Sequence, residues 1–351
     1  MPQWYDPVMG RFGINKTDVQ FVVHHLGLEV VGVRTGPLQL VLEVAGSRSG
    51  VPLQAIVPTL PSNGIAVEVR SVFAPRLDVG LRVVREQIDP YQPLSVDADE
   101  PERAQTLLGD ALREALSPRF LGAVLTDEEV VVRAVDPYQE LFGDARSETL
   151  IRMFRWTEEL ASLVQTSRQV VPVATPLRSH ESAWVGFADR EGLAVLRCPL
   201  SLFGLLGGVS VSLTAVRCRA LAYDFELQVG FEAPLPFAFE IRPTKSRDRV
   251  ADWFGAGDPK VGHPAFDAAF ELRFHDEAWM RRLLCEKSVD HLLDLSRRGA
   301  LTVNQRGISV RFPDGTDPES LLRDMDKARD VSRVLFANAF GLASSGRPYR
   351  T

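Results

Sequence analysis

Cysteine is scarce in this chain, with three residues among 351, at Cys198, Cys218 and Cys285. So small and odd a number makes no disulfide framework, and a reducing, cytoplasmic setting is the expectation. Lysine is scarce as well: only Lys16, Lys245, Lys260, Lys287 and Lys327 stand beside many arginines. That excess of Arg, with Ala, Val, Leu and Gly, reads as a GC-rich bacterial genome rather than a chemical requirement. Positive charge as a whole is in deficit, 40 Lys and Arg against 46 Asp and Glu, for a net charge of −6. No basic domain or stripe offsets it, so nucleic acid is not an expected partner. The opening residues around Trp4, Tyr5, Asp6 and Pro7 lack the basic-then-apolar order of a signal peptide.

Long uncharged runs are missing with one exception, the 18 residues from Pro199 to Val216. That length is at the threshold for a membrane span. The run contains Pro199, Gly204, Gly207 and Gly208, however, and Val209, Val211 and Leu213 alternate with Ser210 and Ser212. Alternation is a strand pattern, so a β-hairpin turning at Gly207-Gly208 is predicted and no integral span.

Recognisable catalytic motifs are also missing. No glycine-rich loop precedes a Lys-Ser or Lys-Thr pair, and Gly255-x-Gly257 reads as a turn before Asp258-Pro259. Gly46 to Gly50 has the frame of a nucleophile elbow, but Arg48 stands where serine is required. The six histidines are His24, His25, His180, His263, His275 and His291. None makes a zinc spacing: adjacent His24 and His25 diverge by about 100° on a helix. Cys198 and Cys218 fall near the two far ends of the predicted hairpin and read as unrelated thiols. The acidic runs at Asp97, Asp99, Glu100 and at Asp276, Glu277 suit helix starts. No cofactor, metal or catalytic residue is assigned, and an enzyme is not favoured.

What is present is a composition of 45% hydrophobic and 25% charged residues, that of a folded chain with more than one domain, and an internal repeat. Gly27-Leu28-Glu29-Val30-Val31 corresponds to Gly192-Leu193-Ala194-Val195-Leu196. Ala66-Val67-Glu68-Val69-Arg70 is matched to Ala238-Phe239-Glu240-Ile241-Arg242. Ile88-Asp89 with Leu94 and Val96 is matched to Phe266-Asp267 with Leu272 and Phe274. Leu107-Leu108 and Leu116 correspond to Leu283-Leu284 and Leu292. Val130, Val132 and Arg133 correspond to Ile308, Val310 and Arg311. Glu148, Leu150, Ile151 and Arg152 correspond to Glu319, Leu321, Leu322 and Arg323, and Leu160, Leu163 and Val164 to Val331, Val334 and Leu335. The matches keep their order, which implies a tandem duplication: a first unit over 9–168, a linker over 169–184 stiffened by Pro172 and Pro176, a second unit over 185–342, and a tail over 343–351.

Each unit reads as α+β. Strands are predicted at 28–33, 38–45, 52–57 and 65–71 in the first unit, and at 193–198, 200–206, 209–218, 222–231 and 237–242 in the second. A further strand follows at 93–97 or 269–274, then a helix, two short strands and a closing helix. For the closing helix of the second unit, Asp317 is the N-cap and Pro318 the first residue, with Leu321, Leu322, Met325, Ala328, Val331 and Leu335 on one face. The expected fold is therefore an antiparallel sheet per unit, covered on one face by two helices. Asp136-Pro137-Tyr138-Gln139 repeats Asp89-Pro90-Tyr91-Gln92 at non-equivalent places and reads as shared turn chemistry.

The run Gly262, Pro264, Ala265, Phe266, Asp267, Ala269, Phe270, ahead of an acidic helix with Leu283-Leu284, resembles a widespread set of uncharacterised bacterial proteins. These carry a Gly-x-Pro-x-Phe-Asp-x-x-Phe segment before a helix, two strands and a helix. The resemblance implies a bacterial origin and a repeated α+β module, and no activity. In the first unit Ile88 replaces the Phe and the Gly-x-Pro is absent. Phe266 and Phe270 are expected in the core, with Asp267 accepting backbone hydrogen bonds.

The function expected is that of a non-enzymatic binding or scaffolding protein, in its most concrete form a chaperone-like module, acting on a protein partner or by self-association. One sheet face left bare by the helices would meet a partner peptide or a sister domain. Leu200, Leu202, Phe203, Leu205 and Leu206 offer apolar groups on both faces of one strand and are the candidate partner-binding residues. Lys245, Arg247 and Arg249 form a candidate anion or partner patch. Two alternatives stand beside this: an enzyme or small-ligand site in the cleft between the units, and peripheral membrane association through 199–216.

Overall fold

Period-two alternation in the first half of each unit makes strands, and spacings of three and four make the helices that cover them. The computed structural model describes residues 16–36, 39–47, 50–58, 65–85, 94–117, 121–135, 144–219, 222–244, 261–274 and 276–341. The chain divides into two units, 1–172 and 173–351. The first runs α1 (Lys16–His25), β1 (Glu29–Thr35), β2 (Gln39–Ala45), β3 (Leu53–Pro58), β4 (Ile65–Val72), β5 (Arg82–Arg85), β6 (Ser95–Asp97), α2 (Pro101–Leu108), α3 (Asp110–Ala115), β7 (Gly122–Thr126), β8 (Glu129–Val135) and α4 (Asp144–Ser167). The second runs α5 (Arg178–Glu191), β9 (Ala194–Arg197), β10 (Leu200–Leu206), β11 (Val209–Arg219), β12 (Ala222–Gly230), β13 (Phe239–Pro243), α6 (Pro264–Ala269), β14 (Phe270–Phe274), α7 (Glu277–Leu283), α8 (Glu286–Arg298), β15 (Ala300–Asn304), β16 (Gly307–Phe312) and α9 (Pro318–Ala339).

The first sheet has the order β1-β2-β3-β4-β8-β7-β5-β6, and the second, read from its other end, β9-β10-β11-β12-β16-β15-β13-β14. The orders are the same strand for strand, and the recorded strand pairs are antiparallel. The protein is thus a tandem duplication of an α+β unit. Its closing helices carry the repeat with one constant offset. Leu150, Met153, Phe154, Thr157, Leu160, Ala161 and Val164 are all buried, and so are Leu321, Asp324, Met325, Ala328, Val331, Ser332 and Leu335. Within its own unit α4 lies on β3, β4 and β8, and α9 on β11, β12 and β16.

Three expectations need correction. Glu68 is not the counterpart of Glu240. Glu68 in β4 pairs with Arg133; Arg133 corresponds to Arg311, whose partner is Glu226 in β12. The short strand β5, too short to register in the sequence pattern, is the counterpart of β13, so Glu240 has its counterpart on β5 rather than on β4. Likewise Val83 pairs with Val96 and Ile241 with Leu272, so Val96 corresponds to Leu272 and not to Phe274. The segment 169–184, expected as a stiff linker, is built into the folded units. Val171 is buried, while Val173, Ala174, Leu177 and Trp184 belong to the core of the second unit. Pro176 sits in a 3-10 turn, Thr175–Leu177, that leads straight into α5.

The closing and middle helices are the two predicted, the middle one broken after Leu107-Leu108 and after Leu283-Leu284. Opening helices α1 and α5 join them on the same face: α1, α2 and α3 pack on α4, and α5, α7 and α8 on α9. Gly27 (φ 71°) and Gly192 (φ 70°) end the opening helices in the left-handed region. Only glycine adopts that conformation without a steric cost, which is why the Gly-Leu pair recurs ahead of β1 and β9. Asp317 caps α9 as predicted, its carboxylate accepting from the Ser320 amide at 2.9 Å, with Pro318 at the first position.

Candidate functional site

Helices cover one face of the second sheet, so its other face carries whatever the sequence leaves there. β10 and β11 form the predicted hairpin, with Leu206 opposite Val209 and Gly207 and Gly208 both at positive φ, as a two-residue turn of this hand requires. Leu200, Leu202, Leu206, Val209, Val211 and Leu213 all join the second unit's own core. That removes Leu200, Leu202 and Leu206 from any surface a partner could reach. Phe203 and Leu205, on the opposite parity, are 43% and 67% exposed and lie across from Ser212 and Ser210. The apolar run is therefore divided between the core and the open face, and only Phe203 and Leu205 remain available to a partner.

Beside them the open face is hollow. A groove of about 350 Å³ is lined by Ser210, Ser212, Gln228, Gly230, Gly307 and Ser309, with Asn304 and Arg306 at its far end. The strand registers place the counterparts of these residues in the first unit. Ser212 stands where Gln54 does, Gln228 where Arg70 does, Gly230 where Val72 does, Gly307 where Glu129 does, and Ser309 where Val131 does. In the first unit that area is filled: Arg70 donates to Gln54 Oε1 at 2.9 Å and faces Glu129 at 3.6 Å. The second unit replaces Gln54 by a hydroxyl, Glu129 by a glycine and the Arg70 guanidinium by the uncharged amide of Gln228. Gly307 is required by its surroundings, since a Cβ there would meet the Val229 carbonyl oxygen at 2.2 Å. Gly230 is not so constrained, its nearest neighbour being Ser210 Cβ at 3.5 Å.

Toward the far edge of the same sheet, on β13 and β14, Glu271 is buried beneath two guanidinium groups. Arg242 donates to one carboxylate oxygen through Nε at 2.7 Å and also through a terminal nitrogen, and Arg273 donates to the other at 2.9 Å. Burial pushes the Glu271 carboxyl upward, but these hydrogen bonds and charges outweigh it and hold the group below the usual carboxylate range. Neither Arg242 nor Arg273 lines the groove, and among the described residues Arg306 is the cation that does.

The Gly-x-Pro-x-Phe-Asp segment is structural. Asp267 accepts from the Val261 and Gly262 amides, both at 3.0 Å, and Phe266 and Phe270 are buried with ring centroids 4.7 Å apart. His263 caps α6, its Nδ1 accepting from the Phe266 amide at 3.1 Å. His180 stacks on Phe225 at 4.6 Å, its Nε2 2.9 Å from the Thr316 carbonyl. The three cysteines are free thiols, Cys198 and Cys285 buried and Cys218 exposed. Lys245, Arg247 and Arg249, like the two Asp-Pro-Tyr-Gln copies, lie outside the described residues. Among the described residues no group of three His, Cys, Asp or Glu could hold a metal, and no helix is long and apolar enough to cross a membrane.

One titratable group on the core face of the closing helices has no titratable counterpart. Asp324 of α9 occupies the core position that Met153 holds in α4, and burial raises its pKa despite Arg298 Nη1 at 2.8 Å. A raised pKa means the folded state holds the proton more tightly than the unfolded one. Its contribution is then full below the usual Asp range and is lost as pH rises through the folded value. Asp294, bound by Lys327, is shifted down and works in the opposite direction, losing its contribution as pH falls. Asp324→Asn removes only the first effect. Urea titrations between pH 4 and 7.5 are expected to show the wild type gaining stability relative to this variant as pH falls. Parallel curves would contradict the assignment.

No protein-family model matches the chain, and neither does any curated protein. A solved structure, the crystal structure of the mycobacterial trehalose monomycolate transport factor A, TtfA, is similar at 13% identity over 45% of this chain and 96% of that one, with a TM-score of 0.29. A likeness that weak carries no argument about fold or function.

Proposed function

We propose that this is a non-enzymatic binding or scaffolding protein that holds a polypeptide partner on the open face of its second sheet. One observation carries the reading: of two homologous sheets, one has its bare face filled by Arg70, Gln54 and Glu129, while the other is hollowed beside two exposed apolar side chains, Phe203 and Leu205. A sheet face of this kind offers apolar anchors at one side and hydroxyl, amide and guanidinium groups at the other, the mixture that recurs in binding surfaces.

Two variants test it. Gly230→Val fills the groove with the residue the first unit uses there, and Phe203→Asp/Leu205→Asp charges the rim. Neither alters a buried side chain, so each is expected to keep the wild-type melting temperature within about 2 °C, as surface changes of up to about 0.5 kcal/mol allow. Affinity purification from the native host, quantified by mass spectrometry, should show the same proteins lost from both variants. Retention of every wild-type partner by both would refute the reading.

A second reading, a small polar ligand in the same groove, is favoured by its volume, which lies at the lower end of the range for ligand pockets. The variants separate the two. A small ligand is lost from Gly230→Val and kept by the rim variant, whereas a polypeptide partner is lost from both.

A further inference from the structure

The first sheet ends in a strand whose own sequence is complementary to itself. β1 pairs with β2 along one edge and, among the described residues, with no strand along the other. It carries two of the more exposed large apolar side chains of the chain, Val31 at 60% and Val33 at 44%. An edge strand of this length with exposed apolar groups is a template for further pairing, and proteins usually blunt such edges with charge, proline or bulges. β1 does contain a bulge, between Val30 and Gly32, and that bulge sets which residues share a face. Glu29 pairs with Ala45, Gly32 with Glu43 and Arg34 with Val41, so Glu29 and Arg34 lie on the open face; Val30 pairs with Val44 and Val33 with Leu42, so both lie on the helix side.

We infer that a second copy of this chain docks antiparallel along β1, about a two-fold axis between Val31 and Gly32. In that register Glu29 lies opposite Arg34 of the second copy, twice over, on the open face, and Val30 lies opposite Val33 of the second copy on the helix face. Charge meets opposite charge and apolar meets apolar at the two kinds of pair that flank the bulge, as an isologous contact requires, with Thr35 lying beyond them. Without the bulge Glu29 and Arg34 would have opposite parity and could not face each other. Val31 falls opposite Gly32 of the second copy, where there is no side chain to oppose it. The corresponding edge of the second sheet, β9, has Ala194 in place of Glu29 and lacks this complementarity. The contact is small, so a dimer with a dissociation constant on the order of 10–100 µM is expected, in the class of transient interfaces.

Sedimentation equilibrium of the full chain over a range of concentrations tests this. Wild type should dimerise reversibly. Glu29→Arg, which sets two pairs of like charges together, should weaken the dimer at least tenfold, and Glu29→Arg/Arg34→Glu, which restores both pairs with reversed sign, should recover most of that loss. Because Arg34 also pairs with Glu43 at 2.5 Å, melting temperatures are recorded alongside. If the double variant is unfolded, Val31→Lys replaces it as the arbiter and should abolish dimerisation. A wild type that is monomeric throughout, or a Glu29→Arg or Val31→Lys protein that dimerises like the wild type, would overturn the proposal. Gly230→Val should leave the dimer intact, so failure here is distinguishable from failure of the groove.

Discussion

Arg103→Ala is expected to cost about 3–5 kcal/mol of stability, because it leaves a carboxylate buried without its ion-pair partner. Arg103 of α2 is buried, and its guanidinium binds Asp78 Oδ1 at 2.7 Å, Glu100 Oε1 at 2.9 Å, and the carbonyls of Asp78 and Pro172 at 3.2 and 2.8 Å. It ties the loop after β4 to the helix and to the end of the first unit. The second unit does the same work without charge. Its loop is held alike: the Phe73 and Leu77 amides donate to the Glu128 and Asp127 carbonyls, and the Phe231 and Leu235 amides to those of Arg306 and Gln305. By that correspondence Pro236 stands in the place of Asp78. Trp279 stands in the place of Arg103, packed against Phe237 and Phe239 at 5.0 and 5.5 Å. A buried ion pair and an aromatic cluster are thus alternative solutions at one position of one fold, in keeping with the near neutrality of such exchanges when both partners change together. A double-mutant cycle in urea tests it. Asp78→Ala should cost less than Arg103→Ala, on the order of 1–3 kcal/mol, because Arg103 keeps Glu100 and the Pro172 carbonyl, and the double variant should cost less than the sum. Single variants that each cost under about 1 kcal/mol would mean the pair is effectively solvated, like a surface bridge.

These exchanges also show what could be read from the residues alone. The closing helices were legible because the core face repeats at helical spacing, and a constant offset carries Leu150 onto Leu321 and Val164 onto Leu335. The Gly-Leu pairs at 27–28 and 192–193 were legible because a left-handed cap admits little else. The opening helices before them were not. α1 contains Val19, Val22 and Val23, β-branched residues of low helix propensity, and is held by burial against α1's neighbours in the unit rather than by local preference. β5 was invisible for another reason: four residues, Arg82–Arg85, give two periods of alternation at most, too few to register. The hairpin at 200–213 is legible, but its apolar excess does not tell which of its two apolar faces is covered. The structure buries one face and leaves Phe203 and Leu205 exposed. The groove itself gives no signal in one dimension, since Ser210, Ser212, Gln228, Gly230 and Ser309 are ordinary strand residues until the strand order brings them together.

Phe266→Ala is expected to cost about 3–5 kcal/mol, the range for removing a fully buried aromatic ring. Phe266 has no exposed surface, and α6 packs against β14 and α8. The ring meets Phe270, the first residue of β14, so its loss opens a void under the edge of the second sheet where neighbouring backbone cannot easily follow. Asp267 acts on the same segment through different physics. Its carboxylate accepts the Val261 and Gly262 amides and fixes the entry into α6, a local role whose loss in Asp267→Ala should cost about 1–2 kcal/mol, as for a helix cap. The order of the two effects is the test. Chemical denaturation should rank Phe266→Ala well above Asp267→Ala, with little change in partner binding at the groove while the variant remains folded. The reverse order would make the Gly-x-Pro-x-Phe-Asp segment a recognition element held by its acid, rather than a structural anchor held by its aromatic ring.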